Sequence, residues 1–203
     1  MKEDLHAFLR SRRSIRHFLP VSVPVEVLRR ILETATYAPS AHNDQPWRFA
    51  VLTADVPKIR LAGAMATEFQ RDLEKDGLPE KEISTRIERS RRRIMEAPVV
   101  IVLCMDETGM EPYPDAERRR AETTMAVQST ALAGLQLLLA AHAEGLAGVW
   151  TCGPLFAPAV VRQALSLPAA WQPQAMFFLG RPKQAAQDKI LKPLEEIVRF
   201  ISA

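Results

Sequence analysis

Apolar positions recur along the chain with two periods. In residues 3–11, Leu5, Phe8 and Leu9 keep helical spacing and predict a short helix that stops before a polar cluster at 12–17. A second helix is expected from Ser22 as N-cap, with Pro24 in the first turn and Val27, Leu28, Ile31, Leu32 and Ala35 on one face, until Pro39 ends it. Residues 47–53 have strand character. Residues 59–73 and 80–95 read as helices joined by Asp76-Gly77-Leu78-Pro79, the second charged over most of its surface. Residues 98–105 contain VVIVLCM, an unbroken apolar run of the kind found in a strand covered on both faces. The longest helix candidate, 118–144, extends about 40 Å at 1.5 Å per residue. Gly145-Leu146-Ala147-Gly148 then turns the chain into a strand over 149–152. A short helix at 159–165, a strand at 174–180 and an extended or mixed segment at 194–201 complete the reading. Helices and strands interleave without regular βαβ spacing, which predicts an α+β fold. No repeat, linker or low-complexity block divides residues 1–203, so a single domain is expected.

Composition changes this picture in one respect. The 203 residues carry a net charge of +3, unevenly placed. Residues 1–48 hold eight Lys/Arg against five Asp/Glu, residues 150–203 hold six against three, and the middle is acidic by three. So small an excess does not suit coating of nucleic acid and points to a smaller anion. The two cysteines, Cys104 and Cys152, form neither a CxxC pair nor a disulfide framework, which fits a reducing compartment. Lys2-Glu3-Asp4-Leu5-His6 shows none of the apolar run of a signal peptide, so no leader is expected. Residues 123–141 are Ala-rich but interrupted by Gln128, Ser129, Thr130 and Gln136, which favours a buried helix over a membrane span; a cytoplasmic protein without membrane contact is expected.

Several chemistries are excluded by residue pattern. The eight glycines make no GxGxxG and no P-loop, and the four histidines make no HExxH and no ligand pairing with cysteine. No serine stands in GxSxG. Two segments do carry a signal. Arg12-Arg13-Ser14-Ile15-Arg16 places three guanidinium groups and a hydroxyl within five residues, a set that can surround a phosphate, although a solvated basic turn has the same composition. Residues 38–49, APSAHNDQPWRF, hold Asn43 and Gln45 between Pro39 and Pro46. These amides can donate and accept at a heterocycle edge, and a structural turn at a helix end is the plainer alternative.

RRSIR followed by APSAHNDQPWRF resembles the opening of the nitroreductase family of flavin-dependent enzymes. Gly145-Leu146-Ala147-Gly148-Val149-Trp150 with Cys152-Gly153-Pro154, Phe178-Leu179-Gly180-Arg181-Pro182, and Lys192-Pro193-Leu194-Glu195-Glu196-Ile197-Val198 are similar to its later segments, in the same order. The resemblance implies a central, mostly antiparallel sheet flanked by helices, and an intertwined homodimer with FMN at the interface. It implies that Arg12, Arg13, Ser14 and Arg16 bind flavin phosphate or the pyrimidine edge. Pro39, Ser40, Ala41 and Asn43, with Gln45 after them, match a loop supplied by the partner chain. Gly153 and Pro154 fall where the family presents its backbone to the flavin ring; Cys152 beside them is a further cofactor-binding candidate, with a structural small residue as the plainer reading. Lys189 stands at the family's lysine, but Leu191 occupies a position where an arginine is usual, and Arg181 is the candidate substitute.

The activity implied is transfer of hydride from NAD(P)H to flavin and on to a nitroaromatic, quinone or enone acceptor at one alternating site, with Arg16 stabilising reduced flavin and no side-chain nucleophile. Tyr113-Pro114-Asp115, residues 118–125 and residues 150–156 are also similar to the nitroreductase-like domain attached to the glutamate ligase of deazaflavin-coenzyme biosynthesis. That similarity leaves a reductase of a deazaflavin or its dehydro precursor as an alternative, and a non-catalytic flavin-binding module as another. Arg89, Arg91, Arg92 and Arg93 could steer an anion but suit a solvated helix face. Trp47, Trp150 and Trp171 suit core or interface anchors.

Overall fold

The computed structural model describes residues 2–185 and 188–201. Its centre is β2 (Val99–Asp106), every residue of which is buried, as the unbroken apolar run demands. β1 (Trp47–Leu52) pairs with one side of β2 and β4 (Trp171–Gly180) with the other, and β3 (Ala147–Thr151) pairs with the outer side of β4, giving the order β1-β2-β4-β3. All three pairings are antiparallel, as expected. The strand at 174–180 extends further back than the sequence suggests. Pro173 cannot donate to a ladder, but a register shift opposite Leu103 and Cys104 absorbs it, and pairing continues to Trp171.

Helices cover both faces of the sheet. On one face α5 (Ala116–Ala143) and α2 (Val25–Ala35) enclose Ile31, Leu137, Phe177 and Leu179. On the other, α3 (Asp55–Lys75), α4 (Glu80–Glu96) and α7 (Pro158–Leu165) enclose Leu61, Ile94, Val161 and Phe178. Full burial of side chains of this size contributes about 1.5–3 kcal/mol each. α1 (Lys2–Ser11) and the single turns α6 (Gly153–Phe156) and α8 (Leu194–Ile197) complete the chain.

α2 departs from expectation at its start. Pro24, not Ser22, is the N-cap and no side chain caps the helix; proline needs no donor there because the first turn's amides are unpaired in any case. α5 is long and apolar enough to cross a membrane by composition alone. Here Gly134 lets it approach the sheet so closely that a Cβ would meet Leu103 and Phe177 at 3.0 Å.

Candidate functional site

The RRSIR segment lies along the outer edge of the sheet. Ser14 bridges Gly148 of β3 in parallel fashion, and the Ile15 amide donates to the Gly148 carbonyl at 3.2 Å. The chain then meets the segment that leaves β4: Leu19 N donates to Arg181 O at 2.9 Å and Lys183 N to His17 O at 3.0 Å. These bonds fold the two basic ends of the sequence against each other. Between them is a cleft of about 390 Å³ lined by Arg12, Arg13, Ser14 and Arg16 from one end and by Gln184, Asp188 and Lys189 from the other, so that four cations face one carboxylate. That volume lies in the range of small-molecule sites.

The four cations play different parts. Arg13 donates to the carbonyls of Arg10 and Arg12 and so closes the end of α1. Arg12 has a buried Nη1 with no hydrogen-bond partner. A buried guanidinium N–H left without an acceptor costs more than an ordinary missing bond, so this atom calls for an acceptor, and an anionic oxygen supplies a strong one. Arg16 and Lys189 are exposed on the cleft wall. Arg181 does not line the cleft: its carbonyl is held by Leu19 and its side chain is exposed. Leu191 is also exposed.

Arg16 also borders a second cleft, of about 480 Å³, with Lys58, Arg93 and Lys183. Burial, then Arg89, Arg16 and Arg92, hold the Arg93 guanidinium below its ordinary pKa. Arg93 is the functional candidate that residue pattern alone did not separate from its neighbours. It precedes the core residue Ile94 and is half-buried, whereas Arg89, Arg91 and Arg92 are exposed. Lys58, 4% exposed, donates to Ala97 O at 2.7 Å and Pro98 O at 3.3 Å; it ties α3 to the end of α4 and is not available to a ligand.

The loop around residues 39–45 sits elsewhere. A 3-10 turn at Ala41–Asn43 contains His42 and Asn43 at φ 52° and 59°, and Gln45 follows at φ 49°. Positive φ costs a non-glycine residue about 1–3 kcal/mol, and such strain persists only where neighbours over-determine it. They do: Ala41 N donates to Ser129 Oγ at 3.2 Å, Gln45 N to Ser40 Oγ at 3.1 Å, and Arg48 Nη1 to Gln45 O at 2.9 Å. Pro39 is exposed beside this turn.

Sheet register fixes the separation of these two regions. The loop enters β1 at Trp47, opposite Met105, while Gly148 is opposite Leu179, itself opposite Val99. They are therefore diagonal corners of the sheet. Three strand spacings across and six residues along amount to roughly 25 Å. Cys152, Gly153 and Pro154 follow β3 on the RRSIR edge, where the Trp150 indole donates to Cys152 Sγ at 3.1 Å. Cys104 is buried in β2, and burial pushes its thiol up to about 12.

Known proteins share this architecture. Residues 9–181 match the model of the Nitroreductase family. The chain is 30% identical to an NADH dehydrogenase of Thermus thermophilus, with 92% of this chain and 91% of that protein covered. It is 28% identical to a 5,6-dimethylbenzimidazole synthase of Rhodospirillum rubrum, covering 90% and 84%. A presumed nitroreductase from Desulfovibrio desulfuricans, crystallised with FMN, superposes with a TM-score of 0.74 at 28% identity, covering 98% of this chain and 96% of that one.

Proposed function

The chain belongs to the nitroreductase family of oxidoreductases, and from that premise we propose that it is an FMN-dependent enzyme that takes hydride from NAD(P)H and passes it to a nitroaromatic, quinone or enone acceptor. The observation that carries the reading is the orphaned Nη1 of Arg12 in a basic cleft assembled from both ends of the chain. A flavin phosphate supplies the acceptor oxygens this atom lacks, with Ser14 and Lys189 beside it.

When bound, FMN supplies the ring that accepts and donates hydride. Arg12 and Lys189 anchor the phosphate. Arg16, on the wall shared by both clefts, with Arg93 within its field, would supply positive charge beside the ring, where two cations would favour negative charge. Cys152, Gly153 and Pro154 border the ring from the β3 edge. Both nicotinamide and acceptor use the same open face in turn, so no side-chain nucleophile is needed and substrates alternate.

The Pro39, Ser40, Ala41, Asn43 and Gln45 loop belongs to the same site through a second copy. Within one chain it is roughly 25 Å from RRSIR, too far for one small cofactor to touch both. A homodimer brings the loop of one protomer to the cleft of its partner. It also covers Leu132 and Leu135 on α5 and the chain of exposed apolar residues Ile190, Leu194, Ile197 and Phe200.

The test is direct. Purified protein is expected to be yellow and dimeric, to bleach on anaerobic addition of NADH or NADPH, and to recover its colour with a nitroaromatic or quinone. Bound flavin that neither nicotinamide reduces would instead favour the deazaflavin or non-catalytic alternative.

A further inference from the structure

Beneath the strained loop lies a cavity of about 90 Å³ that the flavin reading leaves unused, lined by Asp44, Arg48, Asp106, Thr108, Glu122 and Ser129 among others. Most of its side-chain donors are engaged. Arg48 donates to the carbonyls of Gln45 and Trp47 and pairs with Asp106 Oδ2 at 2.9 Å. The Thr108 hydroxyl donates to Asp106 Oδ1 at 2.7 Å and the Ser129 hydroxyl to Met125 O at 2.8 Å. Its acceptors are not spent. Glu122, only 3% exposed, receives one long bond from Glu111 N at 3.3 Å on Oε1, and its Oε2 has no partner. A carboxylate removed from water is costly unless paired, and Arg48, committed to Asp106, does not pair it.

We propose that this cavity receives an ammonium- or guanidinium-type group, with Glu122 as its anionic anchor. An acceptor-rich, donor-poor lining calls for a ligand that brings several N–H donors. Among the described residues no group of three His, Cys, Asp or Glu is arranged to hold a metal ion. The volume corresponds to a few water molecules, which admits a cationic headgroup and not a whole nucleotide. Two sources share this chemistry: a free small cation, or a basic side chain from a second copy of the chain. Because Ser129 holds Ala41, either occupant stabilises the loop above it.

The experiment measures the melting temperature of the FMN-loaded protein in millimolar ammonium or guanidinium chloride, with tetramethylammonium at equal ionic strength as control, together with the dimer dissociation constant. A saturable rise specific to the N–H cations, lost in Glu122→Gln, supports a free cation. No cation-specific rise, but a tenfold or greater weakening of the dimer in Glu122→Gln, supports a side chain of the second copy. No cation-specific rise with an unchanged dimer overturns the proposal, as does an equal rise in wild type and variant. If Glu122→Gln does not fold, Glu122→Asp, which keeps the charge and shortens its reach, takes its place; a cation-specific rise or a dimer weakened relative to wild type then supports the proposal, and values equal to wild type overturn it. These readouts do not require nicotinamide turnover, so they fail independently of the proposed reaction.

Discussion

The Ile15 amide donates to the carbonyl of Gly148 at 3.2 Å, and this bond lays the RRSIR segment along the free edge of β3. The strand that offers this carbonyl is itself packed closely because Gly148 has no side chain. A Cβ there would meet Leu179 Cδ2 at 2.5 Å and Leu138 Cδ2 at 2.9 Å, both in the packed interior. Gly148→Ala is expected to destabilise the protein by about 1–3 kcal/mol, as overpacking generally does, and to weaken FMN binding by moving the strand edge. Urea denaturation and flavin titration read the two effects; unchanged values for both would show that the edge adapts.

Arg12 separates stability from binding. With Nη1 buried and unpartnered, the guanidinium is a liability in the cofactor-free protein. Arg12→Gln is expected to leave the apoprotein equally stable or more stable while weakening FMN about 10- to 100-fold, the loss of one or two charge-assisted bonds. Flavin fluorescence titration alongside apoprotein melting checks the pair of signs. A variant that loses apoprotein stability and keeps FMN affinity would make Arg12 structural.

How legible these features are depends on whether the fold decides them. β2 is legible because VVIVLCM has no polar position to expose, and the structure buries all of it. The two candidate segments are legible as local clusters, RRSIR and APSAHNDQPWRF, but their placement at diagonal corners of the sheet is decided only by strand register. Arg93 is not legible, because Arg89, Arg91 and Arg92 have the same chemistry and only the packing of Ile94 decides which guanidinium faces Arg16. Ser129 and Glu122 escape for a related reason. α5 is charged through its first turns and Ala- and Leu-rich after them, so a buried hydroxyl or carboxylate on it has no periodic signature until Ala41 and Glu111 are placed against it. The early start of β4 is hidden by Pro173, which reads as a stop unless the bulge opposite it is known.

His142 gives the protein a pH dependence of definite sign. Its Nε2 is 2.7 Å from Ser11 Oγ, and Phe8 stacks on its ring at 5.0 Å. The Ser11 hydroxyl donates to Phe8 O, so the imidazole is the donor to Ser11. Burial, then the positive charge of Arg12, lowers its pKa from 6.5. The unfolded chain therefore takes up this proton at a higher pH than the folded one, and stability falls as pH drops below about 6.5. Melting temperature between pH 5 and 8 is expected to show this slope in wild type and to lose most of it in His142→Gln. An anion on Arg12 offsets the repulsion, so phosphate or FMN should flatten the wild-type curve.

The two thiols should differ sharply. Cys152 is exposed, whereas Cys104 is buried in β2 with its thiol pushed up to about 12. A thiol-specific chromogenic disulfide should therefore modify one cysteine quickly in the native protein and the second only on unfolding. Cys152→Ser should abolish the fast phase. If Cys152 borders the flavin, bound FMN slows that phase in wild type; equal rates with and without FMN would move the ring away from the end of β3.

Arg16 and Arg93 repel one another in the absence of a ligand, and Arg16 is one of the charges that lower the Arg93 pKa. Two cations held together against their own repulsion store a field that an added negative charge relieves. Reduction of flavin places negative charge on the ring, so a pair at its pyrimidine edge favours the reduced form and raises the potential. Arg93→Gln is therefore expected to make the flavin midpoint potential more negative by about 30 mV or more, equivalent to about 1.4 kcal/mol for a two-electron couple. The same variant should leave the apoprotein no less stable, since it removes a repulsion and a desolvated charge. Spectroelectrochemical titration of the FMN-loaded variant measures the shift. A potential unchanged within error, at normal FMN affinity, would assign Arg93 to the second cleft alone.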